Sequence, residues 1–172
     1  KLAGLKTRDQ AKTFIYALVY GAGDAKIGSV AGGSIKKGKE LKQTFFKNLP
    51  SLKILKDKVQ KASSRGFLKG IDGRKIYVRS QHAALNTLLQ GGGAIVMKKA
   101  MCFLQELIEL NGIDARFVAN IHDEWQIEVK ESQSTFVGEL GVQSIERASE
   151  HFKMRCPLTG EYKIGENWYE TH

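Results

Sequence analysis

The stretch from Thr7 to Gly23 constrains this chain more than any other. It has a start, a stop and two differently built faces. Thr7 can serve as an N-cap, and Gly21 and Gly23 are residues that end helices. Between them Arg8, Lys12, Tyr16 and Tyr20 recur every four residues. A step of four advances about 40° around an α-helix and about 6 Å along it. The four side chains therefore form a slowly winding stripe about 18 Å long. Phe14, Ile15, Leu18 and Val19 face largely elsewhere and form the expected buried face. Two cations followed by two rings suit an elongated ligand, anionic at one end and flat at the other. A nucleoside triphosphate beside a nucleic-acid base has that shape. Solvated cations above half-buried core tyrosines fit the same spacing.

Charge narrows the class of ligand. The 172 residues include 27 Lys+Arg against 18 Asp+Glu, a net charge of +9. That balance favours polyanionic partners: nucleic acid, nucleotides or an anionic membrane surface. No apolar run approaches the roughly 20 residues of a spanning helix, and no secretory leader opens the chain. Neither Cys102 nor Cys156 has a CxxC partner, so both are read as reduced thiols of an intracellular, cytoplasmic protein. The length suits one domain or two small lobes. The opening on Lys1 rather than Met, directly before a helix, is the expectation for a fragment.

After the opening helix, residues 24–33 read as a short helix ending at Gly32-Gly33. Ser34 caps a helix from Ile35 to about Asn48, and Pro50 starts another through about Ser63. These two helices carry Lys36, Lys37, Lys39, Lys42, Lys47, Lys53, Lys56, Lys58 and Lys61 on more than one face. They are either a solvated surface or contacts to a phosphate backbone. Asp72-Gly73 between two β-rich runs is a hairpin signal, and Arg74, Lys75 and Arg79 around it would suit phosphate. A long helix spans about Gln81 to Leu110. Strands at Arg116–Ile121 and Trp125–Val129 flank a tight turn at His122-Asp123-Glu124. A last helix runs from Ser132 to about Phe152, and the tail 155–169 is expected to contain a strand. Trp125 and Trp168 are read as packing residues. The composition changes near Gly66, from helical and lysine-rich to mixed α and β.

Two constellations carry chemistry. A hairpin turn projects Asp123 and Glu124 out of a sheet, where carboxylates can hold Mg²⁺ through hard oxygen ligands. Phosphoryl transfer commonly uses two such ions about 3.5–4 Å apart, with carboxylates from more than one strand. An ordinary polar turn has the same composition. His82, Asn86 and Gln90 make a second stripe of fours along the long helix. Asn and Gln offer donors and acceptors at once. The minor groove shows acceptors at similar positions for every base pair, so a polar stripe could check pair shape without reading sequence. The alternative is a helix flank bonded to protein backbone.

In order and approximate spacing these features resemble family A DNA polymerases. Arg8, Lys12, Tyr16, Tyr20 and Gly21 look like motif B of the fingers helix. The run His82 to Ala94 looks like the long palm helix, and Ile121 to Glu124 looks like motif C. Gly165-Glu166-Asn167-Trp168 resembles the family's C-terminus. Tyr16, His82 and the Gly-Ala-Gly after Tyr20 are most similar to the short bacteriophage replicative branch. The resemblance implies an α+β chain, with helical fingers at about 1–65 and the C-terminal part of an antiparallel-sheet palm at about 66–172.

It also implies roles. Arg8 and Lys12 would bind the triphosphate of a dNTP, with Lys12 able to protonate the pyrophosphate. Tyr16 would stack near base and sugar, and Tyr20 would guard the templating base. His82, Asn86 and Gln90 would contact DNA, Asn86 and Gln90 through the minor groove. Asp123 would ligate Mg²⁺ (Mn²⁺ as an alternative), with Glu124 accessory and His122 near the primer terminus. The family's second aspartate, in motif A upstream of motif B, has no counterpart here, nor has the thumb. The expected activity is DNA synthesis on primer-template DNA in concert with an N-terminal portion, with little or none from this chain alone. A non-catalytic DNA- or nucleotide-binding module is the second reading, and a metal-dependent hydrolase built on His122, Asp123 and Glu124 the third. The site would be the host cytoplasm for a phage protein, with no membrane partner.

Overall fold

The structure is a computed structural model that describes residue 5, residues 7–30 and residues 32–171. Its architecture is α+β, as the sequence predicts. The chain forms two compact units, Lys1–Gly91 and Gly92–His172. The division falls inside one continuous helix.

In the first unit, α1 (Arg8–Val19) is followed by α2 (Asp24–Val30), α3 (Ile35–Asn48) and α4 (Pro50–Ser63). Thr7 Oγ1 accepts from the Gln10 amide and Ser34 Oγ from that of Lys37, so both expected caps are made. Phe14 and Leu18 of α1 are buried with Ile27, Leu41 and Phe45, and the Phe14 and Phe45 rings meet edge to face at 5.2 Å. Gly38 lets α3 lie directly on α2, because a Cβ there would overlap the Asp24 carbonyl and meet the Gly28 amide at 2.7 Å. Lys42 of α3 pairs with Asp24 at 2.8 Å across the same contact. The hairpin β1 (Phe67–Lys69) and β2 (Lys75–Tyr77) follows, with Asp72 Oδ1 accepting from the Arg74 amide in its turn. Val59, Leu68, Ala84 and Leu85 form a second core that joins α4 to the hairpin and to the start of α5 (Ala84–Leu110).

The second unit holds the rest of α5, the antiparallel pair β3 (Ala115–Ile121) and β4 (Glu124–Val129), α6 (Ser134–His151) and the short α7 (Trp168–Thr171). Leu104, Ile108, Val137 and Leu140 pack with Phe117, Trp125, Ile127 and Val129. The ladder shifts register between Phe117 and Ala119, leaving Val118 as a one-residue bulge. Before the bulge Ala115 and Phe117 share the core face with Val129 and Ile127. After it Asn120 pairs with Trp125, while Ala119 and Ile121 pair with Gln126 and Glu124 on the opposite face.

Several sequence expectations need correction. Ile15 is 46% exposed rather than buried. At 100° per residue it lies beside Arg8, whereas Phe14, Ala17 and Leu18 share another arc. The long helix begins at Ala84, after a 3₁₀ turn at Gln81–Ala83, and α6 begins at Ser134, after a similar turn at Glu131–Gln133. Among the described residues the tail contains no strand. It lies along α6, where Tyr162 crosses Gly138 and the Leu158 amide donates to Ser149 Oγ at 3.1 Å. A helix surface offers a passing chain no free backbone edge to ladder with.

Two stability outcomes follow. Gly38→Ala forces backbone apart and lowers the unfolding free energy by about 2–3 kcal/mol in urea titrations. The hydrogen bond from Lys42 holds the Asp24 carboxyl below its ordinary value, against an opposing desolvation. That contribution is present above the ordinary value of 3.8 and is lost as pH falls through the lowered one. Asp24→Asn is therefore less stable than the parent at pH 7, and the gap narrows in the same titrations as pH falls below 3.8.

Candidate nucleotide and metal sites

The stripe on α1 is an open face. Arg8 and Lys12 are exposed, and Tyr16 and Tyr20 are 52% and 55% exposed. The reason is the opposite face: Phe14, Ala17 and Leu18 take the buried arc, and the stripe is what remains. None of Arg8, Lys12 and Tyr16 is engaged in an ion pair among the described residues. Gly21 ends the helix with φ of 76°, and a Cβ there would overlap the His82 carbonyl. The close of α1 is thus seated on the 3₁₀ turn that leads into α5. A cavity of about 250 Å³ opens at this seat, lined among others by Gly21, Lys42, Lys56, Gln60 and His82.

The second stripe is partly realised. His82 sits on the 3₁₀ turn, so its α-helical spacing to Asn86 does not hold. Asn86 and Gln90 lie one turn apart on α5 itself. Gln90 is exposed, and Asn86 is half-buried. Asn86 Oδ1 is closed off from water and accepts no hydrogen bond among the described residues, so it is not a flank bonded to backbone. Such an acceptor costs about 1–3 kcal/mol until a donor reaches it.

The third group lies in the second unit. His122 and Asp123 form the two-residue turn between Ile121 and Glu124. His122 takes φ of 54°, in the left-handed region. For a residue other than glycine that costs about 1–2 kcal/mol and must be held by its surroundings. Asp123 is exposed at the tip. Glu124 is half-buried and already held: its Oε1 accepts from Gln126 Nε2 at 2.5 Å and from Trp168 Nε1 at 3.2 Å. Carboxylate oxygens are the right donors for Mg²⁺, but the ion demands six ligands in near-octahedral array. Among the described residues no three His, Cys, Asp or Glu side chains converge on one point. Asp123 and Glu124 fit such an ion as part of a donor set, not as the whole of it.

The sequence reading missed what holds Glu124. Trp168 is 49% exposed and is a hydrogen-bond donor rather than a core residue, whereas Trp125 packs as expected. Gln126 and Thr171 complete the same group. The signal was the alternation of β4, which leaves Glu124 and Gln126 on one face. Of the candidate phosphate contacts, Arg74 is paired with Asp72 at 2.6 Å and Lys75 lies over the Phe67 ring. On α3 and α4, Lys42 and Lys53 are paired with Asp24 and Asp57, and Lys36, Lys39, Lys47, Lys58 and Lys61 are exposed. Among the described residues no helix is long and apolar enough to cross a membrane.

The chain matches DNA polymerase family A over residues 3–170, and it belongs to that family. It is 44% identical to the DNA-directed DNA polymerase of Escherichia phage Phieco32 over 100% of its length, and 38% identical to that of Escherichia phage T7 over 99%. Identity to DNA polymerase I of Caldicellulosiruptor bescii is 29% over 95%. The resemblance to the phage branch is thus sustained. The chain spans 29% and 27% of the length of those two phage relatives. The POL domain of Pol1 from M. smegmatis, solved in complex with DNA primer-template and dNTP, shares the fold. Its TM-score is 0.73 over 81% of this chain and 27% of that one, at 22% identity.

The seat of α1 gives a direct test. Gly21→Ala combines a strained φ with a backbone overlap, and lowers stability by more than about 2 kcal/mol in urea titrations.

Proposed function

We propose that this chain supplies the nucleotide-binding helix, the minor-groove helix and one part of the metal site of a template-directed DNA polymerase. Residues 1–65 act as fingers and residues 66–172 as the C-terminal part of the palm. The observation that carries the reading is the open Arg8, Lys12, Tyr16 and Tyr20 face in a chain that matches the family almost end to end.

The reaction is nucleotidyl transfer. The primer 3′-oxygen attacks the α-phosphorus of a dNTP, a P–O bond forms, and pyrophosphate leaves. Arg8 and Lys12 hold the triphosphate by charge-assisted hydrogen bonds. Lys12 also gives a proton to the departing pyrophosphate, a role worth about 10²–10⁴-fold in rate. Tyr16 stacks on the incoming base and sugar, and Tyr20 closes the template side. Asn86 and Gln90 contact the minor groove of the new pair, with His82 and His122 at the flanking DNA. Mg²⁺, or Mn²⁺, supplies charge neutralisation and activation of the 3′-oxygen when bound. Asp123 and Glu124 contribute carboxylates to it, and a further carboxylate comes from the rest of the polymerase. Primer-template DNA, dNTP and that N-terminal portion, with its motif A and thumb, are the partners. The setting is the cytoplasm of an infected cell.

The test mixes the purified chain with a separately made upstream portion carrying motif A and the thumb. Primer extension appears only in the mixture. Asp123→Ala lowers it by at least about 10³-fold, and Lys12→Ala lowers kcat by about 10²–10⁴-fold. Extension by the 172-residue chain alone, lost in Asp123→Ala, contradicts the division of labour. Salt-dependent DNA binding with no extension in the mixture favours the binding-module reading instead.

A further inference from the structure

The group around Glu124 is built from two ends of the second unit. Trp168 donates through Nε1 to Glu124 Oε1 at 3.2 Å, from 44 residues away. Thr171 Oγ1 lies within hydrogen-bond distance of Gln126 Oε1 at 3.1 Å and of the Trp168 carbonyl at 3.2 Å, and Gln126 Nε2 donates to Glu124 Oε1. The Gln126 amide is therefore fixed in one orientation. Flipped, it would turn its oxygen toward the carboxylate and its NH₂ toward the hydroxyl, and lose its hydrogen bond to the carboxylate.

The segment that delivers Trp168 and Thr171 is itself braced. Asn167 Nδ2 donates to Glu170 Oε1 at 2.8 Å, and the Glu166 amide donates to Glu170 Oε2 at 2.9 Å. Gly165 closes the brace, because a Cβ there would lie 2.7 Å from Glu170 Cβ and 3.2 Å from Thr171 Cγ2. Both donors converge on one oxygen of one carboxylate. A helix laid on a strand for packing alone has no need of that. Tyr169, which follows Trp168, is 95% exposed, so the turn is not held by burying its rings.

We propose that the Trp168–Thr171 turn is a positioning latch for the carboxylate hairpin. Trp168 directly, and Thr171 through Gln126, fix the rotamer of Glu124 in the carboxylate hairpin. Trp168, Thr171 and Gln126 act through Glu124, as positioning residues. The assignment rests on the polymerase reading for its consequence, but not for its geometry.

Trp168→Phe keeps a ring and removes the donor, and Thr171→Val keeps the shape and removes the hydroxyl. In the complemented polymerase each raises the Mg²⁺ concentration for half-maximal extension, Trp168→Phe by about tenfold, the worth of a hydrogen bond to an ionised group. The KM for dNTP stays within about twofold, because Arg8 and Lys12 are untouched. Gly165→Ala reproduces the shift without altering any group that contacts Glu124. In a Glu124→Gln background Trp168→Phe adds nothing, as a shared pathway requires. An unchanged Mg²⁺ dependence in folded Trp168→Phe, or a full additional loss in Glu124→Gln, overturns the latch. If the parent mixture gives no extension, the polymerase reading fails and the latch is judged on the chain alone. There the Trp168 indole N–H resonance, assigned by its loss in Trp168→Phe, shifts and exchanges faster in Glu124→Ala. A resonance that does not move overturns the latch independently.

Discussion

The β3–β4 hairpin is held by one face. Phe117, Trp125, Ile127 and Val129 pack onto Leu104, Ile108, Val137 and Leu140, and the opposite face receives what that packing excludes. Strand alternation then leaves no choice about Glu124 and Gln126, which flank Trp125 and must point away from the core. A carboxylate on a half-covered sheet face needs polar company. The tail provides it. Asp123 is exposed because it lies in the two-residue turn beyond the paired strands. In this unit apolar burial sets the positions, and the hydrogen bonds act on side chains already placed.

The first unit follows the same logic on a helix. Burial of Phe14, Ala17 and Leu18 decides which residues of α1 stay in solvent, and Arg8, Lys12, Tyr16 and Tyr20 are among them. The close seating of α2 on α3 depends on a glycine rather than on apolar area. The end of α1 against the His82 carbonyl depends on another. Each is a backbone-to-backbone approach, where a substitution disturbs the placement of a whole helix rather than one contact.

Local signals were legible in the sequence. Thr7, Ser34 and Pro50 mark helix starts because caps and N1 prolines act within one turn, and Asp72-Gly73 marks its hairpin for the same reason. The α1 stripe was legible because periodicity survives without tertiary information. Ile15 was misplaced by counting apolar residues instead of angles. His82 was misplaced because a 3₁₀ turn and an α-helix share composition at their junction. The tail and the Glu124 group were not legible, since their partners lie more than 40 residues apart. Nothing local in Trp168 distinguishes a donor to a carboxylate from a core ring.

The Val118 bulge has a consequence of counting rather than of chemistry. Up to Phe117 the odd residues of β3 pair with odd residues of β4; beyond it Asn120 pairs with Trp125, while Ala119 and Ile121 stay half-buried. The strand thus changes its pairing register by one residue at Val118. Losing Val118 would shorten the strand by only about 3.4 Å and would restore a regular ladder, with Ala119, Asn120 and Ile121 still opposite Gln126, Trp125 and Glu124. What Val118 holds is one extra residue outside the ladder, and the way the hairpin faces is set by the burial of Trp125, Ile127 and Val129 on β4.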